Sequence, residues 1–282
     1  METNRLVTEK EKVLVKQRFT RALGSYDEHA TAQQQINAHL GRLFTGWLRG
    51  KPVSRILEIG CGTGNFTRTL LNICRQEGHT SCEWVVNDLC DECRQPVSGI
   101  LSGEVWSYLP GDAEQLEFPG TFDAIVSASV VQWFARPGVF MEKIARLLRP
   151  GGIFLFNTFG PRNLQEIKAL TGQGLAYPTI KEIKSWFPSS FQILFLEEEE
   201  ILLRFPTPLH VLRHLKYTGV TATGTTVWTR GKQERFCREY EARYSNNKEV
   251  VLTYQPVYVF VSTLETEEHF DGQKNMLDRR II

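Results

Sequence analysis

No stretch of the 282-residue chain holds the roughly 20 consecutive apolar residues that a bilayer-crossing helix requires. The opening METNRLVTEKEKVLVK interleaves charges with single apolar residues and lacks the apolar core of a secretory signal. Both absences predict a cytoplasmic protein with no membrane partner. A dominant charge is missing too. The 33 Lys and Arg stand against 32 Asp and Glu, a net +1, which argues against a nucleic-acid partner. Cysteine is sparse, with six residues scattered through a chain long enough to bury its own core. A disulfide scaffold is therefore not needed, and free thiols are expected. Repeats and low-complexity tracts are absent. What is present, 41% hydrophobic and 23% charged, is the composition of an ordinary globular chain, for which a monomer is the default expectation.

Three textures follow one another along the chain. Residues 1–50 lack strand patterning, and the apolar positions Val13, Phe19, Leu23 and then Ile36, Leu40, Leu43, Phe44, Trp47 suit helices with one buried stripe. From 53 to about 160, short apolar runs (VSRILEI, CEWVVND, FDAIVSASV, IFLFNTF) alternate with helical segments (FTRTLLNICRQ, FMEKIARLL). That alternation predicts an α/β fold with a mostly parallel sheet covered by helices on both faces. Residues 191–205 read as two extended segments around Glu197–Glu200, residues 207–245 turn helical, and VYVFVSTL returns as a last strand. The predicted organisation is an N-terminal helical cover (1–50), a core (51–206 and 246–264), a helical lid inserted before the last strand (207–245) and a mobile tail (265–282). The cover carries net +3, the lid net +4 and the remainder net −6, so a basic roof over an acidic body would attract an acidic partner.

The strongest local signal is Glu58-Ile59-Gly60-Cys61-Gly62-Thr63-Gly64, placed after the strand RIL and before a helix near Asn65. Glycines let the backbone turn sharply and approach a ligand, and free amides at a helix start favour an anionic group. No Lys-Ser or Lys-Thr follows, which excludes a phosphate-gripping P-loop. Asn65 stands where the dinucleotide fingerprint wants its third glycine, pointing to a ligand without pyrophosphate. Asp88 ends the next strand, where an α/β nucleotide site places a carboxylate for ribose hydroxyls. Asp112, in PGDA after the third strand, can accept from an adenine amino group.

Two further patterns offer metal-ligating side chains. Cys90-x-x-Cys93, with Cys74 and Cys82 upstream, lacks a second compact ligand pair, and His210 and His214 share a helix face without a patterned carboxylate. No metal is expected at either. Glu197–Glu200, in an extended segment, alternate between two faces and form no catalytic cluster; solvated edge-strand charge is the expectation.

Taken in order, EIGCGTG, Asp88, GDAEQL, FDAIVSASVVQWF and LLRPGGIFLF resemble the motifs of class I methyltransferases that use S-adenosylmethionine. The resemblance implies a Rossmann-like seven-stranded sheet and a cofactor site. It places Glu58 near the methionine amino end, Gly60, Gly62 and Gly64 around it, Asp88 on the ribose, Asp112 and Ala113 beside adenine, and Ser127 and Ala128 near the reactive side. Outside that core, Val130-Val131-Gln132-Trp133, Leu215-Lys216-Tyr217-Thr218-Gly219-Val220-Thr221-Ala222-Thr223 and the segment from Arg18 to Ala30 resemble the malonyl-acyl-carrier-protein O-methyltransferases of biotin synthesis. Quinone-pathway C-methyltransferases share a version of the last segment, which keeps a small-molecule C- or O-methyltransferase as the alternative.

The narrower resemblance implies methylation of the free carboxylate of malonyl-acyl-carrier protein or malonyl-CoA. Such a carboxylate is already ionised, so the site needs alignment and water exclusion rather than a general base. Tyr26, Gln132 and Trp133 are the candidates for aligning and enclosing it. Arg213, His214 and Lys216 of the lid are the candidates for binding the malonyl group or the carrier's phosphate.

Overall fold

In the computed structural model, residues 7–219 and 229–264 are described. The tail from 265 and Val220 to Thr223 of the lid motif lie outside them. Helix α1 (Glu9–His29) opens on a capping box in which the Thr8 hydroxyl accepts from the Glu11 amide and the Glu11 carboxylate accepts from Thr8. Helix α2 (Thr31–Leu48) follows at once and buries Ile36, Leu40, Phe44 and Leu48, one per turn.

The chain then alternates β1 (Arg55–Ile59), α3 (Asn65–Gln76), β2 (Glu83–Asp88), α4 (Arg94–Ile100), β3 (Val105–Pro110), β4 (Phe122–Ser127), α5 (Pro137–Leu147) and β5 (Leu148–Phe159). After two short helices, α6 (Gln165–Thr171) and α7 (Ile180–Lys184), come β6 (Phe191–Glu198) and β7 (Ile201–Phe205). Helices α8 (Pro208–Tyr217) and α9 (Arg230–Tyr244) precede β8 (Ser245–Asn246), β9 (Glu249–Tyr254) and β10 (Pro256–Thr263).

Seven strands form one sheet in the order β3-β2-β1-β4-β5-β10-β6, parallel from β3 through β5, with β10 antiparallel to both neighbours. Alternate residues of each strand face opposite layers. Ile56, Trp84, Val86, Ala124 and Val126 pack with α2 and α3, whereas Leu57, Ile59, Val85, Ile125 and Phe156 pack with α5 and α7. The strand order reverses beside β1, and the crevice at the carboxyl ends of β1 and β4 is where such sheets bind ligands.

The expected helical lid is a mixed element. Strand β7 leaves the main sheet and pairs with β9, which pairs with β8, making a separate three-stranded antiparallel sheet. Strands β7 and β9, which the sequence placed with the core, thus belong to this second sheet. Helix α9 lies on this small sheet through Phe236 and Tyr240, whose hydroxyl donates to the Val251 carbonyl at 2.7 Å. Because EVVLTY and VYVFVSTL are separated only by Gln255 and Pro256, they look like one apolar run, and the change of sheet between them carries no sequence signal.

At the end of β6, the edge strand, Glu198 and Glu200 lie 3.6 and 3.7 Å from Arg162, while the half-exposed Glu199 accepts from the Tyr258 hydroxyl at 2.8 Å.

Candidate active site

The glycine turn after β1 is held by its neighbours through backbone. The Gly60 and Cys61 amides donate to the Asn87 carbonyl, and Gly60, Gly62 and Gly64 all have positive φ (72°, 54° and 83°). A side chain at Gly60 would meet Val130 at 2.2 Å, and one at Gly64 would meet Ile100 at 2.4 Å. Conformation and space thus both demand glycine there. The Gly62 amide donates to one Asp88 oxygen at 2.8 Å and the Cys90 amide to the other at 2.8 Å. Burial raises the Asp88 carboxyl above its ordinary value, with those amides pulling the other way.

Beside the turn lies a cavity whose wall includes Gly60, Gly62, Asn87, Asp88, Asp112, Ala113, Ala128 and Ser129. Helix α1 closes it. Lys12 is only 5% exposed, and its ammonium donates to Asp112 and Glu114 at 2.6 Å each. Burial opposes that charge, but the two carboxylates prevail and hold the Lys12 pKa above the usual lysine value. Phe19 stacks its edge over Gly62, where an added Cβ would meet its ring at 3.1 Å. At the far end of the helix, Asp27 accepts from Thr63 at 2.6 Å and from Asn65 at 2.9 Å.

A second compartment adjoins the first. Val15, Phe19, Tyr26, Gln33, Ser129 and Trp133 belong to both walls. Beyond them the second is lined by Gln132, Phe159, Asn163, Tyr177, Thr218, Gly219 and Tyr254. Its polar groups are all neutral. Burial pushes the phenols of Tyr26, Tyr177 and Tyr254 upward, Tyr177 to about 12, so all three keep their protons. The Gln132 amide donates to the Ser129 carbonyl at 2.6 Å, and the amide oxygens of Gln33 and Gln132 are buried without a partner. Such atoms fit a ligand that brings its own donors.

Of the sequence-predicted residues, Gly60, Gly62, Asp88, Asp112 and Ala113 meet in the first cavity, and Tyr26, Gln132 and Trp133 in the second or at the border. Gly64 shapes the start of α3 without lining either. Glu58 and Ser127 point elsewhere. The Glu58 carboxyl accepts from Thr67 at 2.6 Å behind the turn, and burial raises its pKa to about 7. The Ser127 hydroxyl donates to the Ile59 carbonyl at 2.9 Å, which ties β4 to β1 and leaves the next two residues, Ala128 and Ser129, on the cavity.

The lid residues separate by helix face. Val211, His214, Leu215 and Thr218 point inward, while Arg213 and Lys216 are exposed and line no wall. His214 stands behind the wall, its Nε2 2.9 Å from the Tyr254 hydroxyl. Burial lowers its pKa to about 4, so it is neutral at pH 7 and offers no cation to a substrate. No charged side chain lines the second compartment among the described residues.

A family model described as a methyltransferase domain matches residues 57–156. The malonyl-[acyl-carrier protein] O-methyltransferase of Porphyromonas gingivalis is 42% identical over 248 residues, which cover 87% of this chain and 93% of that one. The chain belongs to the malonyl-[acyl-carrier protein] O-methyltransferase family. Its relative from Haemophilus ducreyi is 43% identical, with 87% and 95% of the two chains covered. A Bacteroides fragilis relative is 44% identical, but this chain spans only half of its length. Among solved structures, the N-methyltransferase NodS of Bradyrhizobium japonicum in complex with S-adenosyl-L-homocysteine shares the fold at TM-score 0.53 and 15% identity, covering 89% of this chain and 99% of its own.

Within this methyltransferase, sequence reasoning missed Lys12, Asp27, Gln33, Asn163, Tyr177 and Tyr254. Lys12 and Asp27 read as solvated charges on an amphipathic helix. Their partners Asp112, Glu114, Thr63 and Asn65 lie 36 to 102 positions away, and no local pattern joins them. Tyr177 and Tyr254 sit in apolar or loop contexts where an aromatic residue is ordinary core.

Proposed function

We propose that this chain transfers a methyl group from S-adenosylmethionine to the free carboxylate of a malonyl thioester, carried on acyl-carrier protein or coenzyme A. The observation that carries the proposal is the pair of adjoining compartments, one built on the glycine turn and Asp88, the other without a charged side chain among its described lining residues. The names of the relatives supply the substrate class.

When bound, S-adenosylmethionine supplies an activated methyl on a sulfonium sulfur, and its transfer to a carboxylate turns two charged groups into two neutral ones. Asp88 would accept from the ribose hydroxyls with the lone pairs its backbone amides leave free. Asp112, held by Lys12, and Ala113 would border the adenine. On the acceptor side, the protonated Tyr26 hydroxyl would donate to one carboxylate oxygen and leave the other to attack. The second amide hydrogen of Gln132 would assist it.

Neutral donors suit this reaction. A lysine or arginine at the same place would bind the carboxylate more tightly and lower its nucleophilicity, while a wall without donors would leave a desolvated anion uncompensated. His214 would act through Tyr254, fixing the ring that closes the compartment. Trp133 and Phe19 would exclude water at the border. Methylation at carbon, as in quinone pathways, needs a group that removes a proton, and the described wall has no such group.

Arg213 and Lys216, on the outer face of α8, would meet the carrier and not the malonyl carboxylate. The test is mass-spectrometric product analysis with malonyl-acyl-carrier protein. The expected result is gain of one base-labile methyl ester together with S-adenosylhomocysteine. No methyl gain under conditions where S-adenosylmethionine binds would overturn the proposal.

A further inference from the structure

The Cys90-x-x-Cys93 pair is used neither by the glycine turn nor by the acceptor compartment, yet it adjoins Asp88. Cys90, Cys93 and Asp88 are all buried, and one ligand atom of each lies within 4.8 Å of the other two. The two cysteines span a short 3₁₀ turn closed by a hydrogen bond from the Cys93 amide to the Cys90 carbonyl at 3.2 Å. A four-residue turn of this kind brings its end Cα atoms within about 7 Å, the outer limit of the separations that a disulfide bridges. The Cys90 thiol donates to the Lys16 carbonyl at 3.7 Å, and the neighbouring Cys93 thiol lowers the pKa of Cys90.

Position distinguishes this pair from the others. Cys90 is 2% exposed and is part of the wall of the first cavity, so a small reagent would approach it from where the cofactor would sit. Cys74 and Cys82 are also neighbours, but they are buried in the core and line neither of the two compartments. The Cys90 backbone is fixed at both ends. Its amide donates to Asp88 at 2.8 Å, and its carbonyl accepts from Tyr108 at 2.6 Å. A bond that draws the two sulfurs to the roughly 2.05 Å of a disulfide must pull on the amide that orients Asp88.

We propose that Cys90 and Cys93 form a reversible dithiol–disulfide site, reactive toward low-molecular-weight disulfides, whose oxidation disables the adjoining cofactor cavity. The Cys90 thiolate attacks one sulfur of the reagent, whose S–S bond breaks and releases one thiolate that takes up a proton. The Cys93 sulfur, on losing its proton, then attacks the Cys90 sulfur of the mixed disulfide and expels the second reagent thiol. Two protein thiols are oxidised to one disulfide, and one reagent disulfide is reduced to two thiols. The effect on the cavity rests on the proposed S-adenosylmethionine site, whereas the disulfide itself does not.

The full-length protein, fully reduced, is equilibrated with reduced and oxidised glutathione, quenched in acid, alkylated and mapped by peptide mass spectrometry. S-adenosylhomocysteine affinity is measured in parallel. The expected results are a disulfide joining 90 and 93, at least tenfold weaker S-adenosylhomocysteine binding that dithiothreitol restores, and slower oxidation when S-adenosylhomocysteine is present first. Cys93→Ser should bind S-adenosylhomocysteine when reduced and, lacking the resolving sulfur, should stop at the mixed disulfide on Cys90 and form no intramolecular disulfide there. A disulfide only between Cys74 and Cys82, no intramolecular disulfide, or a 90–93 disulfide with unchanged affinity would overturn the inference. Failure of the reduced protein to bind S-adenosylhomocysteine would instead break the functional reading, while the mapping would still decide whether the disulfide forms.

Discussion

The two compartments of the active site are built on opposite principles. The glycine-turn side comes from the turns that follow β1, β2 and β3, and its work is done by backbone amides and by buried or half-buried acids. Glu58, Asp88 and Asp112 all stand in or behind it. The acceptor side gathers side chains from α1, α2, the segment after β4, two loops, α8 and β9, and it carries no charge in its described wall. A cofactor that arrives as a cation with hydroxyl and amino donors suits acids. An acceptor that arrives as an anion and must remain a nucleophile suits neutral donors.

That contrast is broken most strongly by Asp88→Ala. The substitution removes the proposed acceptor for the ribose hydroxyls and leaves the Gly62 and Cys90 amides without their partner. S-adenosylhomocysteine affinity is expected to fall about 100-fold or more, measured by calorimetry, with the fold retained by circular dichroism. Unchanged affinity would remove Asp88 from the cofactor site.

A second effect of comparable size concerns stability. The Glu58 carboxyl ordinarily titrates near 4.5 and is raised by burial to about 7 in the folded chain. Between those values the folded state holds a proton that the unfolded state has lost, so stability declines as pH rises from about 4.5 to about 7. The loss is about 3 kcal/mol for this one group. Glu58→Gln, which keeps the contact with Thr67 without a charge, should flatten that slope. Denaturant unfolding at pH 5 and pH 7.5 checks it, and an identical slope in both proteins would show that Glu58 titrates normally.

The same contrast explains which features could be read from the amino-acid order. Strand alternation, the glycine turn and Asp88 are consequences of short-range rules. A parallel sheet needs its strands at regular spacing, and positive φ beside a close neighbour needs glycine, so each leaves a mark within a few residues. The acceptor side leaves no such mark. Tyr26 and Trp133 stood out through family resemblance, but Tyr254 reaches the wall from β9 in the second sheet, and Tyr177 from the loop between α6 and α7. His214 and Lys216 are two positions apart in one helix, yet one is buried against Tyr254 and the other is in solvent. Periodicity assigned both to a helix, and only the packing of α8 against α1 and α9 decided which face turned inward.

Tyr26→Phe tests the neutral-donor side. Removing one hydroxyl that bonds a charged acceptor should lower kcat about 10- to 100-fold. Because the phenyl ring still packs on Phe19, S-adenosylhomocysteine affinity should stay within about threefold. The ring centroids are 5.2 Å apart in an edge-on contact that the substitution preserves. An unchanged kcat would mean that the carboxylate is oriented by other groups of the wall.

The smallest effect is expected where the sequence placed the substrate cations. Arg213 and Lys216 are exposed on α8 and line neither compartment. Exposed charges facing an acidic protein act mainly on encounter and are screened by salt. The double substitution Arg213→Ala, Lys216→Ala should therefore raise KM for malonyl-acyl-carrier protein about two- to tenfold at low salt, leave kcat unchanged, and lose most of its effect at about 0.5 M salt. With malonyl-pantetheine, which brings no acidic protein surface, the variant should match the parent. A large fall in kcat with that small thioester would place a cation on the malonyl carboxylate itself, and the division between a charged cofactor side and a neutral acceptor side would no longer hold.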